Sequence, residues 1–115
     1  MASDPKTILA MLKKRGAEMR AGMPDTMAGF SGTFQAAEKD GVLSHKMKEF
    51  ITLGIGIAIR CDFCIAAHLE ACLKAGATRE EIMEVCGVAI AMGGGPSYTY
   101  SALVLEFWDA LQAKE

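Results

Sequence analysis

The run Phe50-Ile-Thr-Leu-Gly-Ile-Gly-Ile-Ala-Ile59 decides the fold, because it is the longest apolar stretch of the chain. A helix that crosses a membrane needs about 20 apolar residues, so this shorter run predicts a buried helix and no membrane span. Gly54 and Gly56 within it would allow neighbouring backbones to approach closely. Directly after the run comes Arg60-Cys-Asp-Phe-Cys-Ile-Ala-Ala-His68, which brings two cysteines and a histidine to the junction with the next helix.

Capping residues and helix breakers upstream of the run indicate three helices. An acidic cap before proline is typical of a helix start, glycine and proline interrupt helices, and serine is a favoured N-cap. Asp4 and Pro5 begin the first helix, which Gly22 and Pro24 interrupt. The second helix runs from Asp25 to Glu38, and Ser44 caps the third.

Similar signals downstream indicate three more helices. The first runs from Ile65 to Lys74. The second begins at a capping box formed by Thr78 and Glu81 and continues to Met92. A flexible break at Gly93-Gly-Gly-Pro96 precedes the last helix, which runs from Pro96 or Ser97 to about Ala113. No strand-period alternation of useful length occurs. Residues 1–115 are therefore predicted to form one all-α domain, a compact bundle of about six helices.

Length and composition favour a folded domain that associates with copies of itself. The chain has 115 residues, of which 51% are hydrophobic and 23% charged, and this excludes disorder. A mean hydropathy of +0.22 is high for so small a body, which has little interior for apolar side chains. We therefore expect a homo-oligomer with apolar side chains buried between subunits.

Charge and the N-terminal sequence argue against nucleic acid binding and export. A net charge of -2 and a pI of about 5.7 provide no basic surface for a polyanion or an anionic membrane. The N-terminal residues Met1-Ala-Ser-Asp-Pro-Lys6 lack the layout of a signal peptide, so we expect a cytoplasmic protein. Structural disulfides are rare there, so the cysteines require a metal, redox or packing explanation.

A stripe of three cysteines and a histidine lies on one face of the predicted helix. Its members are Cys61, Cys64, His68 and Cys72. One metal ion cannot hold all four, because the ends of the stripe would lie about 16 Å apart along a continuous helix. A zinc site would need a fourth ligand from elsewhere, and Cys86 and His45 are the candidates. We expect neither a metal nor a cofactor.

Redox chemistry fits the first part of this stripe better than metal binding or packing. Two cysteines three residues apart in a first helical turn lie about 5 to 5.5 Å apart at Cα, within the range of a disulfide. The helix N-terminus and Arg60 favour thiolate, and His68 is within reach of Cys64 as a proton acceptor or donor. Packing is the alternative for this pair and the default for Cys72 and Cys86, whose neighbours are apolar.

Glu49 lies directly before the apolar run, where an unpaired buried carboxylate would be costly. If the chain reverses near Arg60, the third and fourth helices form an antiparallel hairpin, and Glu49 lies about one turn from His68. A carboxylate beside an imidazole fixes its tautomer and exchanges a proton with it. The sequence thus predicts a relay from Glu49 through His68 to Cys64. The alternative is a charge at the solvated end of a helix.

Glu49 followed by Cys61-x-x-Cys64-x-x-x-His68 resembles the AhpD-like alkylhydroperoxidase branch of the carboxymuconolactone decarboxylase family, over about residues 46–76. The resemblance implies an all-helical subunit that assembles into trimers or hexamers. It also implies that Cys61 and Cys64 reduce a small hydroperoxide, cycle between dithiol and disulfide, and are recharged by a dithiol carrier such as a lipoyl domain. His68 would be the neighbouring base and Glu49 the distal relay group.

The sequence does not determine which cysteine attacks the substrate or what the substrate is. The better-placed histidine favours Cys64 as the attacking thiol, whereas the helix dipole favours Cys61. The best-known alkylhydroperoxidase has a histidine immediately before the second cysteine, but this chain has Phe63, which predicts a shorter or slower relay. The alternatives are a non-catalytic redox sensor or metal-binding protein, and a lyase acting on a small lactone acid. The cysteine pair argues against the lyase.

Overall fold

Six helices in one bundle account for nearly all of the computed structural model, which describes residues 4–113. They are α1 (Pro5–Gly22), α2 (Pro24–Glu38), α3 (His45–Ala58), α4 (Asp62–Lys74), α5 (Arg79–Gly93) and α6 (Gly95–Gln112). No strand occurs in this part of the chain, so the all-α prediction is confirmed. The first three residues, which belong to the segment examined for an export signal, lie outside the described residues.

Helix α3 is the centre of the bundle, because it packs against α4, α5 and α6, while α1 covers α4 and α6. The core consists of aliphatic and aromatic side chains that these helices direct inward. Its largest fully buried members include Leu53, Ile57, Ile65, Leu69 and Phe107. None of the helices in residues 4–113 combines the length and the apolar character that crossing a membrane requires.

The prediction that the apolar run forms a buried helix is only half right. Leu53 and Ile57 are fully buried, but Ile51 and Ile55 on another face of α3, and Ile59 directly after its end, are each about half exposed or more. An apolar run is buried on every side only when neighbours surround it, and the described helices leave one face of α3 uncovered. The exposed face opens on a groove between α3 and α5, with a volume of about 640 Å³.

The break between the last two helices is much shorter than the sequence predicts. Helix α5 continues through Gly93 and α6 begins at Gly95, so Gly94 alone separates them. Gly94 has φ of 70° and ψ of -147°, a conformation that L side chains rarely adopt. The predicted flexible segment is therefore a one-residue corner. The capping box of Thr78 is present as predicted.

Candidate redox site

The junction of α3 and α4 positions the first cysteine. Arg60 has φ of 60°, in the left-handed region that commonly ends a helix. The backbone N–H of Arg60 donates to the carbonyl of Ile57, and that of Cys61 donates to the carbonyl of Gly56. The chain therefore reverses at Arg60 as predicted, and Cys61 becomes the N-cap residue of α4, which begins three residues earlier than Ile65.

The two cysteines of the motif form a disulfide bond, with Cα atoms 5.2 Å apart. The backbone N–H of Cys64 points at the Sγ atom of Cys61, at an N to S distance of 3.1 Å. An N-cap position combines free N–H groups with the positive end of the helix dipole, and both stabilise a thiolate. In the reduced chain this environment favours negative charge on the Cys61 sulfur.

Gly56 allows α3 to pass close to the cysteine pair. A β-carbon at this position would lie 3.4 Å from the Cβ atom of Cys64. The close approach predicted for the glycines of the apolar run is therefore found at Gly56, where the partner is the redox pair itself. At Gly54 the nearest atom to such a carbon is a side-chain atom of Val85 at 3.8 Å, an ordinary contact.

Glu49 and His68 meet directly across the hairpin of α3 and α4. Glu49 Oε1 lies 3.1 Å from His68 Nδ1. The Glu49 side chain is only 4% exposed, so this contact offsets the cost of burying its charge. An ionised carboxylate can only accept, so Nδ1 carries the proton, and Nε2 is then the nitrogen free to take a proton from a thiol. The ring also packs against Phe34 of α2, with centroids 5.6 Å apart.

The second oxygen of Glu49 faces another histidine, which the sequence suggested only as a zinc ligand. His45 Nε2 lies 3.6 Å from Glu49 Oε2. The other ring nitrogen, Nδ1, lies 2.7 Å from the backbone carbonyl of Glu38. His45 is the first residue of α3, and its spacing of four residues from Glu49 on a predicted helix was the available signal. The two histidines therefore lie on opposite sides of one carboxylate.

A carboxylate of α2 completes this cluster. Glu38 Oε2 accepts a hydrogen bond from the hydroxyl of Thr52 at 2.6 Å, while Oε1 is buried without a hydrogen-bond partner among the described residues. One donor atom from each of Glu38, His45 and Glu49 lies within 4.8 Å of the others, a spacing that could fit a small cation. Each of the three side chains also has a polar protein partner: Thr52 for Glu38, the Glu38 carbonyl for His45, and His68 for Glu49. No cysteine takes part in this cluster.

The remaining cysteines are buried in the core as the packing interpretation predicts. Burial, reinforced by the negative charges of Glu49 and Glu38, raises the pKa of the Cys72 thiol to about 12. Burial also raises the pKa of Cys86. Both thiols are therefore protonated at neutral pH, and neither is a good nucleophile or metal ligand. The reactive sulfur chemistry of the described residues is confined to the start of α4.

Comparison with known proteins identifies relatives along almost the whole chain. Residues 24–107 match the family model described as carboxymuconolactone decarboxylase family. An uncharacterized protein from Cupriavidus necator is 35% identical over 98% of this chain and all of its own length. One from Haemophilus influenzae is 34% identical, again over 98% of this chain and its full length.

Solved structures share the fold as well. A carboxymuconolactone decarboxylase family protein from Legionella pneumophila superimposes with a TM-score of 0.92 at 40% identity, covering 95% of this chain and 97% of that one. A family member from Thermotoga maritima gives a TM-score of 0.82 at 26% identity, covering 92% and 90% of the two chains. The name of the Thermotoga protein suggests an involvement in the antioxidative response.

Proposed function

The chain belongs to the carboxymuconolactone decarboxylase family, and we propose that it is a thiol-dependent peroxidase that reduces hydroperoxides with Cys61 and Cys64. The observation that carries the proposal is the bonded cysteine pair at the start of α4, whose helix also carries a histidine hydrogen-bonded to a buried glutamate. Thiol peroxidases need a nucleophilic sulfur, a resolving sulfur and a group that moves protons. All three lie within this hairpin.

The proposed reaction begins with proton transfer from the Cys64 thiol to His68. The Cys64 thiolate attacks the terminal oxygen of the hydroperoxide, the O–O bond breaks, and the leaving alkoxide takes a proton to become an alcohol. Cys64 is then a sulfenic acid. The Cys61 thiolate attacks its sulfur, which forms the disulfide and releases water once the leaving hydroxide takes a proton. Cys61 suits this second step because the N–H of Cys64 already points at its sulfur.

A dithiol must return both electrons and protons for the next turnover. A dihydrolipoyl group on a carrier domain has the required chemistry, since its own disulfide forms as Cys61–Cys64 is reduced. Phe63 lies between the cysteines and is half exposed, so it offers an apolar contact beside the disulfide. We propose that such a carrier docks over this end of α4.

The test uses the reduced chain, tert-butyl hydroperoxide and dihydrolipoamide. We expect rapid loss of two thiols, localised by mass spectrometry to Cys61 and Cys64, and continuous turnover when the dithiol is present. Cys61→Ser should accumulate a sulfenic acid on Cys64 that dimedone traps, whereas Cys64→Ser should give none. Both variants should lose turnover. Cys86→Ala, which changes a buried thiol outside the pair, is the matched control and should turn over normally.

Other outcomes would point to other functions. Disulfide formation without turnover under excess dithiol would indicate a redox sensor. A chain whose four thiols all survive excess peroxide would contradict the peroxidase proposal and direct attention to lactone substrates. Dimedone labelling of Cys61 in the Cys64→Ser variant, with none of Cys64 in Cys61→Ser, would reverse the assignment of attacking and resolving thiols.

We also propose that a second copy of the chain covers the groove between α3 and α5. Among the residues that line the groove only Glu81 and Glu84 are charged, and Glu81 is paired with Lys46 at 3.1 Å. Exposed apolar patches of this kind are typical of interaction surfaces, and burial against a second copy would also account for the apolar surplus of the composition. A two-fold axis through the groove would place α3 and α5 against the same helices of the partner. Such a two-fold contact would be compatible with a hexamer built as a trimer of dimers.

A further inference from the structure

We propose that His45 is the outer member of the proton relay and links Glu49 to the solvent. The inference deepens the proposed function: it concerns how protons leave the site once a thiol has been deprotonated. His45 touches neither substrate nor sulfur. It is therefore a positioning and proton-exchange residue that acts through Glu49 and His68.

The geometry divides the two oxygens of Glu49 between the two histidines. Oε1 is 3.1 Å from His68 Nδ1, and Oε2 is 3.6 Å from His45 Nε2. The Glu49 side chain is 4% exposed and that of His45 is 44% exposed. A proton that reaches Glu49 therefore has almost no direct path to water, whereas the neighbouring imidazole has a wide one. His68 is 18% exposed, so His45 is the more exposed of the two partners and the wider route from the buried acid to the solvent.

The surroundings of His45 fix which of its nitrogens can exchange protons. Nδ1 lies 2.7 Å from the carbonyl of Glu38, and a carbonyl only accepts, so this nitrogen carries a hydrogen. The backbone N–H of His45 donates to Asp40 Oδ1 at 2.7 Å, which holds the start of α3 against the preceding loop. Nε2 is left as the exchanging nitrogen, and it is the one that faces Glu49.

Carboxylates of three residues and one further histidine lie near the start of α3. The Glu38 carboxylate of α2 lies within 4.8 Å of His45 and Glu49, the Asp40 carboxylate accepts from the backbone N–H of His45, and His68 of α4 contacts the other oxygen of Glu49. The neighbouring lysines of α3 are engaged elsewhere. Lys46 Nζ pairs with Glu81, and Lys48 Nζ donates to the carbonyl of Lys39. Neither lysine pairs with Glu49, so the two histidines are its partners among the described residues.

The relay moves one proton and breaks no other bond. Cys64 gives its thiol proton to His68 Nε2, and Nδ1 of the same ring passes its proton to Glu49. After the carboxyl group turns about its Cγ–Cδ bond, it yields that proton to His45 Nε2, and His45 releases it to water. The reverse sequence returns the protons that the alcohol and water require. Proton transfer between such groups needs contacts of about 3 Å or one intervening water, and small side-chain rotations close the gap at His45.

His45→Asn tests the inference, since the asparagine amide can still donate to the Glu38 carbonyl but cannot take up a proton. Two reactions of the reduced chain are followed by stopped flow in dilute and in concentrated buffer. One is oxidation by tert-butyl hydroperoxide. The other is oxidation by dipyridyl disulfide, in which the Cys64 thiolate displaces one pyridinethiolate and the Cys61 thiolate displaces the second. Lys48→Gln removes a charge from the same helix and is the control.

We expect wild type and Lys48→Gln to react at rates that do not depend on buffer concentration. His45→Asn should react about tenfold more slowly in dilute buffer. This decrease is smaller than the roughly 10²- to 10⁴-fold contribution of a general acid or base, because His45 acts only through Glu49 and His68. Added imidazole or concentrated buffer should restore its rate. Rescue by a small proton carrier is a response that a purely structural role of His45 would not give.

The inference is overturned if His45→Asn reacts as fast as wild type in dilute buffer, or if it is slow and imidazole fails to restore it. Because two oxidants are used, failure of the proposed role of His45 can be distinguished from failure of the proposed peroxidase function. A wild-type chain that ignores the hydroperoxide would contradict the peroxidase proposal. Buffer-dependent reaction of His45→Asn with dipyridyl disulfide would still support the role of His45.

Discussion

The four cysteines show how position alone decides the chemistry of a thiol. Cys61 is a helix N-cap with a backbone N–H directed at its sulfur. Cys72 lies only three turns further along the same helix, but it is fully buried and near two carboxylates. The first environment stabilises a thiolate and the second opposes one. The proposed peroxide chemistry therefore belongs at the start of α4 and not in the core.

The pKa of Cys72 predicts an alkaline loss of stability that a single substitution should reduce. The thiol titrates at about 12 in the folded chain against 9.0 ordinarily, so the unfolded chain loses the proton first. Below pH 9.0 the thiol is protonated in both the folded and the unfolded chain, so its stabilising effect is fully present. Above pH 9.0 the free energy of unfolding falls by up to about 1.4 kcal/mol per pH unit, because only the unfolded chain loses the proton. Urea unfolding of the reduced chain should show a shallower alkaline decline for Cys72→Ala. Equal slopes in both chains would contradict this.

The sequence predicted the contacts that follow from helix spacing and missed those that depend on α2. Cys61, Cys64 and His68 lie on one helix, and a hairpin brings Glu49 beside them, so local geometry sufficed. The carbonyl of Glu38 that orients His45 belongs to a helix whose position against α3 no local pattern fixes. The contact of Phe34 with His68 was missed for the same reason. Non-local packing determines both.

At the scale of elements, α3 serves three purposes at once. One face packs in the core, its first turns supply His45 and Glu49, and a further face lines the groove. The hydrophobicity of the sequence indicates that many side chains of such a helix are apolar and favour burial. It does not say which of these side chains another helix of the same chain covers. The prediction of a buried helix for Phe50 to Ile59 was therefore only half right.

The corner between α5 and α6 predicts opposite effects for adjacent glycines. Gly94→Ala places a β-carbon on a backbone with φ of 70° and should lower the free energy of unfolding by about 1–3 kcal/mol. Gly95 begins α6 and a β-carbon there would meet nothing within 4 Å, so Gly95→Ala should be neutral or stabilising by up to about 1 kcal/mol. Urea unfolding measures both. Equal effects would mean that the corner does not constrain Gly94.

At the scale of the whole molecule, the apolar surplus of the composition reappears as a defined surface. A chain of 115 residues with a mean hydropathy of +0.22 leaves Ile55 and Val88 more than half exposed, on the two helices that flank the groove. The hairpin that carries the proposed redox site shares α3 with this surface. Assembly through the groove would therefore stiffen the helix that carries Glu49 and His45, and would couple the stability of the site to protein concentration.

A matched pair of valine substitutions tests whether this surface holds the assembly together. Val88→Glu puts a charge into the groove, where burial against a second copy would strip its water, so the variant should dissociate into smaller species. Val42→Glu makes the same change at a fully exposed position outside the groove and should leave the mass unchanged. Sedimentation velocity compares each chain with multiples of 12.3 kDa, and circular dichroism checks that both stay helical. A monomeric wild type would contradict the proposal. A Val88→Glu chain that keeps the full mass of the wild type would contradict it as well, because burial of an unpaired carboxylate in the interface would weaken the assembly.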